Sequence, residues 1–270
     1  MSNPDHFIEI FGLAARQAGF VARHLQNGIS LGSKKNQKSP EAEALTAVDL
    51  AAQDVILTLL HHAFPDAAVD AEEETDTVGL FNTRGPGKPL IVVDPIDGTL
   101  NYSRGSSEYA VMAGWLEHEV YRAVLVHFPA MAATYWAIRE GGARQRTGDT
   151  DGPVSIGPVP KRVRVTPRVP GTCRRILQDI GFEIVVSRCS AVDATAPVSE
   201  DAAAAVSLGR PERRRAVGFL ITAEAGGVVR IGERWWKGED PLTLPADAAF
   251  TIVAENRETA ERISAALKGK

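Results

Sequence analysis

The chain has 270 residues, 44% of them hydrophobic and 24% charged, with a formal net charge of −4 and a sequence pI of about 5.9. That composition suits a globular protein with ample core, and its weak acidity argues against any general attraction to nucleic acid or an anionic membrane. The two cysteines, Cys173 and Cys189, form no CxxC pattern, and no stretch approaches roughly 18 uncharged apolar residues; a disulfide framework, a zinc site and a membrane span are not expected, and a cytoplasmic setting is.

Phe7, Ile10, Phe11, Ala14, Ala18, Val21 and Leu25 recur at three- and four-residue steps, the period of an amphipathic helix. Asp5 and Glu9 at its start do not suit a signal peptide. A polar, glycine-bearing stretch over 27–39 reads as a loop. A second helix follows, with Val48, Ala52, Val55, Ile56, Leu59 and Leu60 along one face, and it should stop near Phe64-Pro65 because proline disfavours helical geometry in the residue before it.

The pattern then changes. Leu90-Ile91-Val92-Val93 is a short continuous apolar run, the signature of a buried strand. Residues 109–116, 120–127 and 133–138 are further strand candidates in an antiparallel meander, and 147–157 reads as a loop rich in Gly, Asp and Ser. In the second half, 163–165 and 182–187 are predicted strands and 173–180 a helix. Residues 216–224 look helical and end at Gly226-Gly227, and 250–254 is a strand. Asn256 caps a final helix that buries Ala260, Ile263 and Leu267. Intermixed strands and helices imply a layered α/β, or α+β, fold.

The chemistry concentrates in Asp94-Pro95-Ile96-Asp97-Gly98-Thr99. The segment follows directly on the apolar run, so two carboxylates emerge where a rigid strand meets a loop. Aspartates three residues apart can converge on a hard cation such as Mg²⁺. Alone, an Asp-x-x-Asp pair is more often a capped turn. The Glu72-Glu73-Glu74 triplet upstream reads equally as a solvated run, and Asp49 as a helix-surface carboxylate.

Together, Lys38-Ser39-Pro40, Thr46-Ala47-Val48-Asp49, Phe64-Pro65, Glu72-Glu73, Asp94 to Thr99, Asn101-Tyr102 and Glu224-Ala225-Gly226-Gly227 resemble the inositol monophosphatase family in order and spacing. The resemblance implies a single domain over 1–270, with a metal-binding half to about residue 145 and a second half from about 146. It implies a homodimer that hydrolyses a small-molecule phosphate ester with Mg²⁺. Glu73, Asp94 and the Ile96 carbonyl would hold one ion, and Asp94 and Asp97 a second. Gly98 and Thr99 would present backbone donors to the phosphate, and Asp49 and Thr99 would orient the attacking water. No nucleic-acid or membrane partner is expected.

One departure stands out. Family members place Trp-Asp at the start of the helix that ends in Glu-Ala-Gly-Gly, whereas this chain has Arg213-Arg214. A unit positive charge ~5 Å from a divalent ion is repelled by roughly 6 kcal/mol at an effective dielectric of ~20. Three readings follow: Glu212 substitutes as a ligand; the second ion is weak or lost and Arg214 meets the phosphate; or the fold is kept with little activity. A solvated cluster at a helix start is the plain alternative. The acidic residue that often touches the sugar alcohol is also missing from 202–209, so histidinol phosphate and 3′-phosphonucleotides stand beside inositol and sugar phosphates as substrates. Trp235-Trp236-Lys237 reads as edge packing rather than a ligand cleft.

Overall fold

The computed structural model describes residues 3–26, 47–85 and 87–269. Helices α1 (Asn3–Leu25) and α2 (Ala47–Ala63) come first. They precede a seven-stranded sheet in strict sequence order. Its strands are β1 (Ala68–Asp70), β2 (Leu90–Asp97), β3 (Ala110–Glu117), β4 (Val120–Phe128), β5 (Ala133–Ile138), β6 (Gly142–Thr147) and β7 (Thr150–Val154), with the short helix α3 (Thr99–Ser103) after β2. β1 runs parallel to β2, and the rest is the expected antiparallel meander. The six-stranded second sheet holds β8 (Arg162–Val165), β9 (Glu183–Val186), β10 (Ala204–Leu208), β11 (Val228–Ile231), β12 (Arg234–Trp235) and β13 (Phe250–Ala254) in the order β12-β11-β13-β10-β8-β9. The remaining helices are α4 (Gly171–Asp179), α5 (Ser190–Thr195), α6 (Arg213–Ala216), α7 (Phe219–Glu224) and α8 (Arg257–Leu267).

The layers follow from strand periodicity. On β2, Ile91 and Val93 join Phe7, Phe11, Ile56 and Leu60 under α1 and α2. Leu90 and Val92 face the other way, into a core shared with α5, α6, α7 and the inner face of the second sheet. A strand covered on both faces must be apolar throughout, which is why the run at 90–93 shows no alternation. The outer face of the second sheet is closed by α4 and α8 through Cys173, Leu177, Ala260, Ile263 and Leu267. Helix pair, sheet, short helices, sheet, helix pair is the layered α/β arrangement the sequence implied. Trp115 anchors the first core between Phe7 and Phe64, with ring centroids 5.8 and 4.9 Å away. Each such buried aromatic contributes about 1.5–3 kcal/mol.

Three expectations need correction. The stretch 147–157 is not simply a loop, because β6 and β7 form a hairpin turning at Gly148, whose φ of 58° suits glycine. Residues 216–224 are not one helix. α6 and α7 meet at Val217-Gly218, where a Cβ on Gly218 would fall 2.5 Å from the Ala194 Cβ. The apolar strand does not end before its carboxylates, since β2 continues through Asp97. The Asn256 cap is present, its side chain accepting from the Thr259 backbone N–H at 2.8 Å. Among the described residues no helix is long and apolar enough to cross a membrane.

Candidate active site

A cavity of about 170 Å³ opens at the carboxyl end of β2. Glu72, Asp94, Ile96, Asp97, Gly98, Thr99, Leu100, Arg188, Ser190, Glu212, Arg214 and Arg215 line it. In a regular strand, residues three apart project to opposite faces. Here the pairing with β3 slips between Asp94, opposite Met112, and Asp97, opposite Ala110. Pro95 has no N–H to give to the ladder, and the slip brings both carboxylates to one cavity. Gly98 then turns with φ 87°, where a Cβ would meet the Glu108 carbonyl at 3.0 Å and Cys189 Cβ at 3.1 Å.

The parallel register of β1 with β2, Asp70 opposite Val92, carries Glu72 alongside Asp94. Glu72 is exposed at its outer side, yet its carboxyl faces inward and hydrogen-bonds Asp94. Burial raises the pKa of both, most strongly that of Asp94, which the Glu72 charge raises further; the bond to Asp94 lowers that of Glu72, the charge of Asp97 raises both, and Arg214 partly offsets this. One oxygen of Asp94, Oδ1, is buried with no hydrogen-bond partner among the described residues. The family resemblance gives the metal-facing role to Glu73. The structure puts Glu72 in the cavity and leaves Glu73 out of its lining. The buried Gln53 of α2 clamps the Glu73 backbone from both sides, Nε2 donating to its carbonyl at 2.6 Å and its N–H donating to Oε1 at 2.9 Å. Fixing Glu73 by its backbone fixes which neighbour points inward.

Asp49 is 2% exposed and not a surface carboxylate. The Thr99 hydroxyl lies 3.4 Å from Asp49 Oδ1 and 3.0 Å from the Ile96 carbonyl. Lys38 to Thr46 lie outside the described residues.

Asp97 is committed elsewhere. The Ser190 hydroxyl donates to Oδ1 at 2.9 Å, and the Ala191 N–H and Cys189 Sγ donate to Oδ2 at 2.6 and 3.0 Å. Burial, with the Asp97 charge beside it, pushes the Cys189 thiol well up, so it stays a donor.

The arginines are not a solvated cluster. Arg213 Nε holds Asp240 at 2.6 Å and its Nη1 holds Asp70 at 2.9 Å. Arg214 lines the cavity, 3.5 Å from Asp70 and 3.7 Å from Glu212. Glu212 thus faces a guanidinium, while Arg215 is exposed at the cavity rim. Trp236 is buried and donates to the Glu239 carbonyl at 2.7 Å; Trp235 lies under Arg230 and Arg257. Neither lines this cavity: Trp235 lies on the edge strand β12 as expected, whereas Trp236 packs into the core against Tyr121 and Phe219.

Sequence reasoning missed Glu72, Arg188, Ser190 and Arg215. The first was one residue from the assignment made. Arg188 and Ser190 directly follow a strand that the sequence did reveal, so their position beyond its end was the available signal.

Among the described residues no three His, Cys, Asp or Glu side chains form a ready metal cage. The donors nonetheless fit one Mg²⁺: Glu72, Asp94 with its orphaned Oδ1, and the Ile96 carbonyl are hard oxygens. Mg²⁺ keeps several waters and needs few protein ligands. They do not fit a second ion, because three donors hold Asp97 and a guanidinium occupies position 214.

Fold and cavity define a layered α/β protein with a small cavity lined by carboxylates and guanidinium groups. The chain belongs to the inositol monophosphatase family, whose model matches residues 3–269. A fructose-1,6-bisphosphatase/inositol-1-monophosphatase from Thermotoga maritima is 31% identical over 107 residues, 40% of this chain and 39% of that protein. A histidinol-phosphatase from Streptomyces coelicolor is 34% identical over 113 residues, 40% of each. The matches therefore span about two fifths of these relatives' length. A solved IMPase/NADP phosphatase, complexed with Mg²⁺ and phosphate, superposes with a TM-score of 0.77 at 18% identity, covering 100% of this chain and 97% of that one.

Proposed function

We propose that the protein hydrolyses a small phosphate monoester of the sugar or polyol class with one Mg²⁺ held by Glu72, Asp94 and the Ile96 carbonyl. The observation that carries this reading is the Glu72–Asp94 pair: two carboxyls pressed together around an unpartnered buried oxygen, in a cavity that also holds Thr99 and Arg214. Such a pair is costly unless a cation neutralises it. The named relatives, both phosphatases of small phosphate esters, support the substrate class, and the Mg²⁺ and phosphate of the structural neighbour support the ion.

When bound, Mg²⁺ supplies a lowered water pKa and screening of phosphate charge. The chain's own residues do the rest. Thr99, 3.4 Å from Asp49 Oδ1, sits where its oxygen can orient a water, with Asp49 behind it to take up the proton. Arg214, permanently charged, faces the phosphate as a fixed cation in place of a second ion. Backbone donors of Gly98 and Thr99 complete the phosphate seat. No covalent nucleophile on the protein is required. The same proposal includes a cytoplasmic homodimer, an assembly that light scattering checks directly.

The test is phosphate release with and without Mg²⁺ across sugar, inositol, histidinol and nucleotide monophosphates, with Asp94→Asn as control. Mg²⁺-dependent turnover lost in that variant is expected. The engagement of Asp97 and the guanidinium at 214 favour one second reading, a metal- and phosphate-binding protein without turnover. Folded protein that binds Mg²⁺ and releases no phosphate above the control would establish that instead.

A further inference from the structure

Val163 and Val165 of β8 point outward, into the core under α4 and α8. Strand alternation turns Arg164, between them, the other way, toward the first sheet, where it is 4% exposed. A guanidinium there has to be paired, because an unmatched buried charge is strongly destabilising. Among the described residues three carboxylates meet it. Nη2 reaches Glu108 Oε1 at 2.7 Å, Nη1 reaches Asp201 Oδ2 at 2.7 Å and Nε reaches Asp193 Oδ1 at 3.3 Å. Burial opposes the charge, but the bonds to Asp201 and Glu108 outweigh this and raise its pKa.

Two of these partners lead straight to the candidate active site. Glu108 lies between α3 and β3. Its carbonyl accepts from Asn101 Nδ2 of α3 at 3.0 Å, and it is the atom that a Cβ on Gly98 would meet at 3.0 Å. Glu108 therefore walls the Gly98 turn. Asp193 belongs to α5, whose Ser190 hydroxyl and Ala191 N–H hold Asp97. Its own N–H donates to the Cys189 carbonyl at 3.2 Å, closing the start of that helix. Asp201 leads elsewhere: it precedes β10 and also holds Arg162 at 3.3 Å. Neither Asp201 nor Arg164 lines the active-site cavity.

We infer that Arg164 is a positioning residue: without touching substrate, it grips Glu108 and Asp193 with one rigid fork and so fixes the Gly98 turn relative to the α5 residues that hold Asp97. This deepens the proposed reading and rests on it for the role of that turn as the phosphate seat. The planar guanidinium reaches three partners in three directions at once. A lysine keeps the charge but not the fork, since its ammonium is a single point on a flexible stem. With the fork gone, the first sheet and α5 remain packed through their apolar side chains, but the distance between the turn and Asp97 is no longer set by one group.

The experiment compares Glu108→Gln, Asp201→Asn and Arg164→Lys in the full chain. The first two are a matched pair, because each removes a carboxylate charge 2.7 Å from the same guanidinium and the two side chains are 36% and 33% exposed. Both should lower the denaturant midpoint alike. Amide hydrogen exchange read by mass spectrometry follows the turn with no ligand present. Titration of Mg²⁺-loaded protein with inorganic phosphate, beside turnover of a sugar monophosphate, follows the seat. Glu108→Gln and Arg164→Lys are expected to speed exchange over 98–103 at least fivefold and to weaken phosphate binding at least tenfold, with KM raised in step. Asp201→Asn should move each of these less than twofold. Equal effects of Glu108→Gln and Asp201→Asn would leave Arg164 a purely structural role and overturn the inference, as would exchange over 98–103 that neither Glu108→Gln nor Arg164→Lys alters. Faster exchange in those two variants of a protein that never releases phosphate would instead sink the hydrolase reading and leave the positioning role standing.

Discussion

Arg213 Nε lies 2.6 Å from Oδ2 of Asp240, a carboxylate with no exposed surface. The same guanidinium reaches Asp70 at 2.9 Å, and its residue's carbonyl accepts from the buried Tyr121 hydroxyl at 2.6 Å. Burial opposes its charge, but the bonds to Asp240 and Asp70 outweigh this and raise its pKa. The segment that carries Arg214 into the cavity is therefore tied to β1 through Asp70 and held by an ion pair to the fully buried Asp240. Removing one partner of a buried pair strands the other and costs about 3–5 kcal/mol. Arg213→Met should lose about 3 kcal/mol by chemical denaturation, since Arg84 at 3.6 Å and the Leu242 N–H at 3.0 Å still face Asp240. A loss below 1 kcal/mol would show that these two suffice.

Glu72 and Glu73 separate cleanly by experiment. With the ion held by Glu72, Glu72→Gln should weaken Mg²⁺ or Mn²⁺ binding tenfold or more. Glu73→Gln should change it less than threefold, because Gln53 grips the Glu73 backbone and not its carboxylate. A titration of bound Mn²⁺ by electron paramagnetic resonance reads both. The reverse ranking would return the ligand to Glu73.

Arg214 places a positive charge within electrostatic reach of Glu72 and Asp94, lowering the pKa of each. The same field opposes a divalent ion there. Replacing it by an acid, Arg214→Asp, should tighten metal binding at least tenfold, about 1.4 kcal/mol. Phosphate affinity should fall in the same variant. Metal affinity that moves less than threefold would place the guanidinium outside the ion's field.

Much of this was legible in sequence because it is periodic. The helix of residues 3–25 and the doubly covered strand at 90–93 announce themselves by which neighbours they bury. The glycine at 98 and the asparagine at 256 likewise mark a turn and a cap by local chemistry alone. What was hidden depends on register. Nothing in Glu72-Glu73-Glu74 says which carboxylate faces inward; that is decided by the β1–β2 pairing and by Gln53, 20 residues away in sequence. The commitment of Asp97 to Ser190, Ala191 and Cys189 spans over 90 positions, beyond the reach of any local pattern. The arginines of 213–215 looked like one charge cluster, but on a helix successive residues point about 100° apart. One therefore enters an ion pair, the next the cavity, and the third the rim.

A last prediction concerns pH and lies away from the cavity. His127 is 9% exposed, and its Nδ1 lies 2.9 Å from the Thr134 hydroxyl. Burial lowers its pKa to about 4, aided by the charge of Arg16 and opposed by a backbone bond to Ala133. The unfolded chain has the ordinary value near 6.5. Between those values the unfolded state binds a proton that the folded state refuses, so acidification favours unfolding. The contribution of His127 is fully present above pH ~6.5, falls with a slope of up to about 1.4 kcal/mol per pH unit, and is spent below ~4. Urea denaturation at a series of pH values should show this slope in the unaltered protein. His127→Asn, uncharged throughout, should flatten it by about one proton over that window. Parallel slopes in the two proteins would assign the acid sensitivity to another group.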